Sequence, residues 1–194
     1  MIRKKSDLDF QYKLYATKHI EAITKIRNSD VRMLVEKVKS TLWEGNNIFV
    51  AGNGGSATTS NHMVIDLGVG LQKPKDSGQI YSLVADVGLV SKIANDSGFE
   101  NLLVEMAEEY VHAKDVVIII SASGQSKNLV KLAEWTKQRN IETISLTGFH
   151  GGELMEITDF NINITTEIGE YGLVENMHLY LIHFLKQTLM DGDF

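Results

Sequence analysis

Five short runs rich in β-branched and other apolar residues recur along this chain, at positions 47–51, 80–84, 115–120, 142–146 and 160–164, and helical patterns fill most of the gaps between them. Strands that alternate with helices predict a parallel sheet covered on both faces, because each parallel crossover needs a helix and each helix must bury its apolar stripe. The run VVIII at 116–120 shows no alternation, as a strand buried on both sides should not. Ahead of the first strand, Phe10, Leu14, Ile20, Ile23 and Ile26 recur at roughly helical spacing between 7 and 28, and a second such stretch runs from 31 to 43. The last segment, 171–190, reads as one long helix without glycine or proline after Gly172. Its apolar residues Leu173, Met177, Tyr180, Leu181, Phe184 and Leu185 exceed what one sheet face needs. That helix and the first one therefore either pack on their own sheet or meet another copy of the chain.

At 194 residues the chain suits one full-core domain, and no repeat, linker or low-complexity stretch divides it. The single proline, Pro74, falls in LQKPKDSGQ, which reads as an exposed loop. The longest unbroken apolar run, 116–120, is far too short to cross a bilayer, and no apolar stretch follows the basic residues of MIRKKSDLDFQYKLY. A cytoplasmic protein with no membrane association is the expectation. The absence of cysteine excludes disulfides and thiolate metal sites, so any metal must be held by His, Asp, Glu or neutral oxygen and nitrogen donors. A net charge of −6 argues against nucleic acid as a partner, since no long basic patch is available to displace counterions.

Two turns carry the chemistry. In IFVAGNGGSATTSNHMVID, residues 48–66, Gly52, Gly54 and Gly55 follow a strand and open a helix, where backbone N–H groups can approach an anion. The spacing is neither the G-x-G-x-x-G of a dinucleotide site nor the Gly-Lys-Ser/Thr ending of a nucleotide P-loop. A tight structural turn and an anion cradle remain open readings of it. The second turn, SASGQS at 121–126, sits between the buried third strand and the helical pattern NLVKLAEW. Ser121, Ser123 and Ser126 around Gly124 at a helix start would offer hydroxyls, N–H groups and the positive helix end to one phosphate, or merely cap the helix. Two such turns in one sheet favour a ligand at the carboxyl ends of the strands.

His62 and Asp66 stand four apart and share a helix face; Glu175 and His183 stand eight apart, about two turns, on roughly one side of the last helix, whereas His178 points elsewhere. Two imidazoles and two carboxylates from two helices form a plausible tetrahedral set for a divalent ion, against the plainer reading of structural or surface histidines.

Taken in order, GNGGSATTSNH, KIANDSGFE, IIISASGQSKNLV, ISLTGFHGGEL and VENMHLYLIHFL resemble the SIS family of phosphosugar isomerases, and within it the branch acting on sedoheptulose 7-phosphate. The resemblance runs through almost the whole chain. It implies an α/β fold, a three-layer α/β/α sandwich with a five-stranded parallel sheet, in one SIS domain over 1–194 whose N-terminal helices, 1–45, serve oligomer packing. It implies a homotetramer with active sites between subunits, and one zinc or other divalent ion per subunit. The implied reaction is aldose–ketose isomerisation of sedoheptulose 7-phosphate to D-glycero-D-manno-heptose 7-phosphate through a cis-enediol, for bacterial surface heptose synthesis.

Carried over by position, substrate contacts fall on Asn53, Gly54, Gly55, Ser56, Asp66, Asn95, Asp96, Ser121, Ala122, Ser123, Ser126 and Glu175. Metal ligands fall on His62, Asp66, Glu175 and His183, with Asp66 as base and His183 as acid. The family has glutamate where this chain has Asp66, glutamine at Glu175 and usually threonine at Ala122. A non-catalytic family branch that scaffolds replication initiation lacks the terminal histidine and the carboxylate; both survive here, which favours an enzyme. A non-catalytic phosphosugar-binding or replication-initiation scaffold protein of this family, and an isomerase for a different phosphosugar, are the alternatives.

Overall fold

A computed structural model describes residues 7–192; the basic start, residues 1–6, and the last two residues lie outside the described residues. Two helices open the chain, α1 (Leu8–Lys25) and α2 (Asn28–Trp43). Five strands follow: β1 (Ile48–Gly52), β2 (Ile80–Ser82), β3 (Val116–Ser121), β4 (Glu142–Gly148) and β5 (Phe160–Ile164). Between them stand α3 (Gly54–Met63), α4 (Val87–Asp96), α5 (Leu102–Tyr110), α6 (Lys127–Gln138) and the single turn α7 (Leu154–Ile157), and α8 (Tyr171–Asp191) closes the described chain. Pro74 lies in the exposed loop between α3 and β2.

All strand pairs are parallel, in the order β2-β1-β3-β4-β5. Period-two alternation splits the core into two layers. Val116, Ile118 and Ile120 face the side where α2, α3 and α8 contribute Leu42, Met63 and Leu181, while Val117 and Ile119 face α5 and α6 through Leu103, Met106, Leu129 and Leu132. Both faces of β3 are therefore buried, and the result is an α/β/α sandwich. The strand order reverses between β1 and β3, and ligand crevices in open parallel sheets form beyond the carboxyl ends of strands at such a point. Both glycine- and serine-bearing turns leave the sheet there.

The helix expected to carry His62 and Asp66 changes character between them. After Met63 the chain widens into a π-helical segment, Val64–Val69, that holds Asp66. Such segments are rare and concentrate at functional sites.

Candidate active site

The first depression at the switch point is lined by both turns together, Asn53 to Ser56 from the start of α3 and Ser121, Ala122, Ser123 and Ser126 from the loop before α6. Tyr171 and Glu175, one turn apart on α8, form its remaining wall. Gly52 is needed here because a Cβ would fall 2.6 Å from the Ser56 carbonyl oxygen, so α3 folds back directly on the strand end. Ser56 and Ser121 are buried, and Ser121 Oγ accepts from the Gly124 N–H at 3.1 Å, which fixes the serine loop. Gly124 has φ +63° and a Cβ there would meet the Gly151 carbonyl oxygen at 1.9 Å, so the loop is backed by the Gly151–Gly152 turn. The residues capping α3 and α6, Asn53 and Ser126, make no side-chain cap, so both helix N-termini meet the depression uncapped by their own side chains.

Two turns further along α3 and α8 lies a second cluster. His62 Nε2 and His183 Nε2 stand 2.9 Å apart, and Asp66 Oδ2 lies 3.3 Å from the first and 3.6 Å from the second. Asp66 is buried, its Oδ2 has no hydrogen-bond partner, and its Oδ1 accepts from Lys186 Nζ at 2.8 Å. A tetrahedral ion with bonds of ~2.0–2.1 Å spans ligand pairs about 3.4 Å apart. Two imidazole nitrogens and an orphaned carboxylate oxygen at these separations fit a divalent ion such as zinc.

The two clusters divide the residues expected from the sequence. Asn53, Gly54, Gly55, Ser56, Ser121, Ala122, Ser123, Ser126 and Glu175 line the first; His62, Asp66 and His183 make up the second. Glu175 is not among the three converging residues: eight residues of helix separate it from His183 by ~12 Å of rise, and its carboxylate lies over Gly55, 2.2 Å from where a Cβ would stand. Asn95 and Asp96 sit exposed at the end of α4, outside the lining of the depression, with Asp96 paired to Lys92 at 3.0 Å. Their hydrogen bonds, Asn95 first and then Lys92, hold the Asp96 carboxyl below its ordinary range.

Three residues escape the sequence reading. Lys186 follows His183 by three and so shares its helix face, a spacing that could have revealed it. Tyr171 is placed by an edge-to-face contact with Phe149, whose φ of +53° turns the chain after β4. Asn128 gives no local signal, because its partner Asn53 comes from the neighbouring strand's turn.

A parallel sheet with its cradle at the switch point and an imidazole–carboxylate cluster beside it defines the class of protein, and comparison agrees: the SIS domain family matches residues 11–148, and the chain belongs to it. Among its relatives are the phosphoheptose isomerase of Geotalea daltonii, 34% identical over 173 residues covering 89% of this chain and 88% of that protein, and that of Helicobacter pylori strain P12, 32% identical over 87% and 84%. In structure it superposes on a phosphoheptose isomerase from Neisseria gonorrhoeae with a TM-score of 0.85 at 23% identity, covering 96% of this chain and all of that one. At that identity the likeness shows the fold.

Proposed function

We propose that this chain is an aldose–ketose isomerase that converts sedoheptulose 7-phosphate to D-glycero-D-manno-heptose 7-phosphate through a cis-enediol. The observation that carries the reading is the spacing of the two clusters on shared helices. Six residues of helix separate Ser56 from His62, ~9 Å of rise, about the length of a sugar phosphate chain. A phosphate in the serine cradle thus delivers the carbonyl end of the sugar toward Asp66 and His183. The relatives named phosphoheptose isomerase agree with it.

Ser56, Ser121, Ser123 and Ser126, with the N-termini of α3 and α6, bind the phosphate, and that binding energy positions the reacting carbons. Asn53, Gly54, Gly55, Asn95 and Asp96 belong to the substrate-contact set of the family pattern, and Glu175 accepts from a sugar hydroxyl. Lys186 occupies Asp66 Oδ1 and leaves Oδ2 toward the imidazoles. Asp66 takes the proton from C1 of the ketose and returns it to C2, while His183 protonates the carbonyl oxygen on C2 and takes a proton back from the C1 hydroxyl as the aldehyde forms. His62, Asp66 and His183 would hold a divalent ion, zinc by resemblance and one per subunit, with substrate displacing a ligand from it when that group carries a proton. Bound there, such an ion supplies positive charge against the developing enediolate.

The chain works as a single domain and a homotetramer in this reading. Phe10 and Ile20 on α1 and Tyr180 and Phe184 on α8 are exposed apolar side chains that support the oligomer. Among the described residues no helix is long and apolar enough to cross a membrane. Asp66→Asn and His183→Gln should each lower kcat/KM on sedoheptulose 7-phosphate by about a hundredfold or more, the usual yield of a positioned acid or base. Wild-type rates in both variants would refute the roles.

A further inference from the structure

We propose that Asn128 is a positioning residue that holds the Asn53 side chain off the N-terminus of α3 and so keeps the anion cradle open. Asn53 stands at the N-cap of α3 with extended backbone, φ −115° and ψ 152°, where an asparagine ordinarily folds its side-chain oxygen onto a first-turn N–H. It makes no such bond. Instead Asn53 Nδ2 donates to Asn128 Oδ1 at 2.9 Å, and Asn128 Nδ2 donates back to Asn53 Oδ1 at 2.9 Å. The one atom able to cap α3 is therefore engaged elsewhere.

The partner is fixed. Asn128 is only 2% exposed, on the first turn of α6, so its amide has no water to turn to. The pair joins the turns leaving β1 and β3, which lie side by side with Gly52 opposite Ile120. It spans the switch point and ties both halves of the cradle into one geometry. Replacing Asn128 with an apolar residue of like size frees Asn53 Oδ1. That oxygen then takes the α3 N–H groups that an incoming phosphate needs, and ligand and cap compete for the same donors.

The inference rests on the reading of the cradle as a phosphate site, and its test separates the two. Inorganic phosphate is titrated calorimetrically into the full chain as wild type, Asn128→Leu, Asn128→Ser, Asn53→Ala and the double variant Asn53→Ala/Asn128→Leu, each checked for folding by circular dichroism. Both Asn128 variants should bind phosphate about fivefold more weakly, the factor matching a cap of about 1 kcal/mol. Because Asn53 itself lines the cradle, the double variant is read against Asn53→Ala alone: where alanine cannot cap, Asn128→Leu should cost no further affinity, a suppression that a packing role for Asn128 does not produce. Wild-type affinity in the Asn128 variants, or a double variant that binds about fivefold more weakly than Asn53→Ala alone, overturns the role of Asn128 while leaving the cradle intact. A wild type that binds neither phosphate nor sedoheptulose 7-phosphate overturns the cradle and the inference together.

Discussion

Acid should destabilise this protein through His178, a residue outside both clusters. Its ring is fully buried in α8, Nε2 lies 3.1 Å from the Thr147 carbonyl oxygen, and Nδ1 has no hydrogen-bond partner. Burial pushes the imidazole down from its usual 6.5 to about 4, against a smaller upward pull from the Thr147 carbonyl. The unfolded chain takes up this proton near pH 6.5 and the folded chain only near 4, so between those values the unfolded state binds more protons and stability falls as pH falls. A difference of about 2.5 pH units at 1.36 kcal/mol each amounts to about 3 kcal/mol, roughly 2 of it lost between pH 7 and 4.5. That is a large share of a typical folding stability of about 5–15 kcal/mol. Urea unfolding from pH 7 to 4.5 should be compared between wild type and His178→Gln, whose amide keeps a donor for Thr147 and does not titrate. Subtracting the two removes the carboxylates common to both. The wild type should lose roughly 2 kcal/mol more than the variant; a difference that stays flat across the range would refute the neutral, buried imidazole.

Lys186→Met leaves the buried Asp66 carboxylate without its ammonium, and because Lys186 is itself a third exposed the loss should be about 1–2 kcal/mol, below that of a fully buried pair. Thermal melts with chelator and with added zinc should show the deficit shrinking when the metal is present, since the ion then supplies the missing positive charge. Gly124→Ala puts a Cβ against the Gly151 carbonyl and holds an L-residue at positive φ, for a loss on the order of 2 kcal/mol or more. Melting temperature and phosphate affinity should fall together, as the serine loop loses its backing.

The layers were readable because the driving pattern is local. VVIII announces a strand buried on both faces, and the runs at 142–146 and 160–164 begin where β4 and β5 begin. Helix α2 starts three residues before the apolar pattern shows it, since Asn28, Ser29 and Asp30 are polar first-turn residues. The π-helical segment was not readable, because the sequence around Asp66 carries an ordinary helical pattern, and the β2 and α8 residues that Val64–Val69 touches are not its sequence neighbours. Helical spacing found His62, Asp66 and His183, yet for Glu175 it gave the side of the helix and not the height. Asn128 depends on two turns brought together by a parallel pairing 75 residues apart in sequence, which no local pattern records.

The most direct measurement is to incubate the purified protein with sedoheptulose 7-phosphate and zinc and follow the sugar by NMR, alongside elemental analysis of the bound metal. Catalytic appearance of the aldose D-glycero-D-manno-heptose 7-phosphate, lost in Asp66→Asn at unchanged fold, is the predicted result. Tight binding of the ketose with no aldose formed over many enzyme equivalents of time would contradict it, and would leave a phosphosugar-binding protein in place of an isomerase.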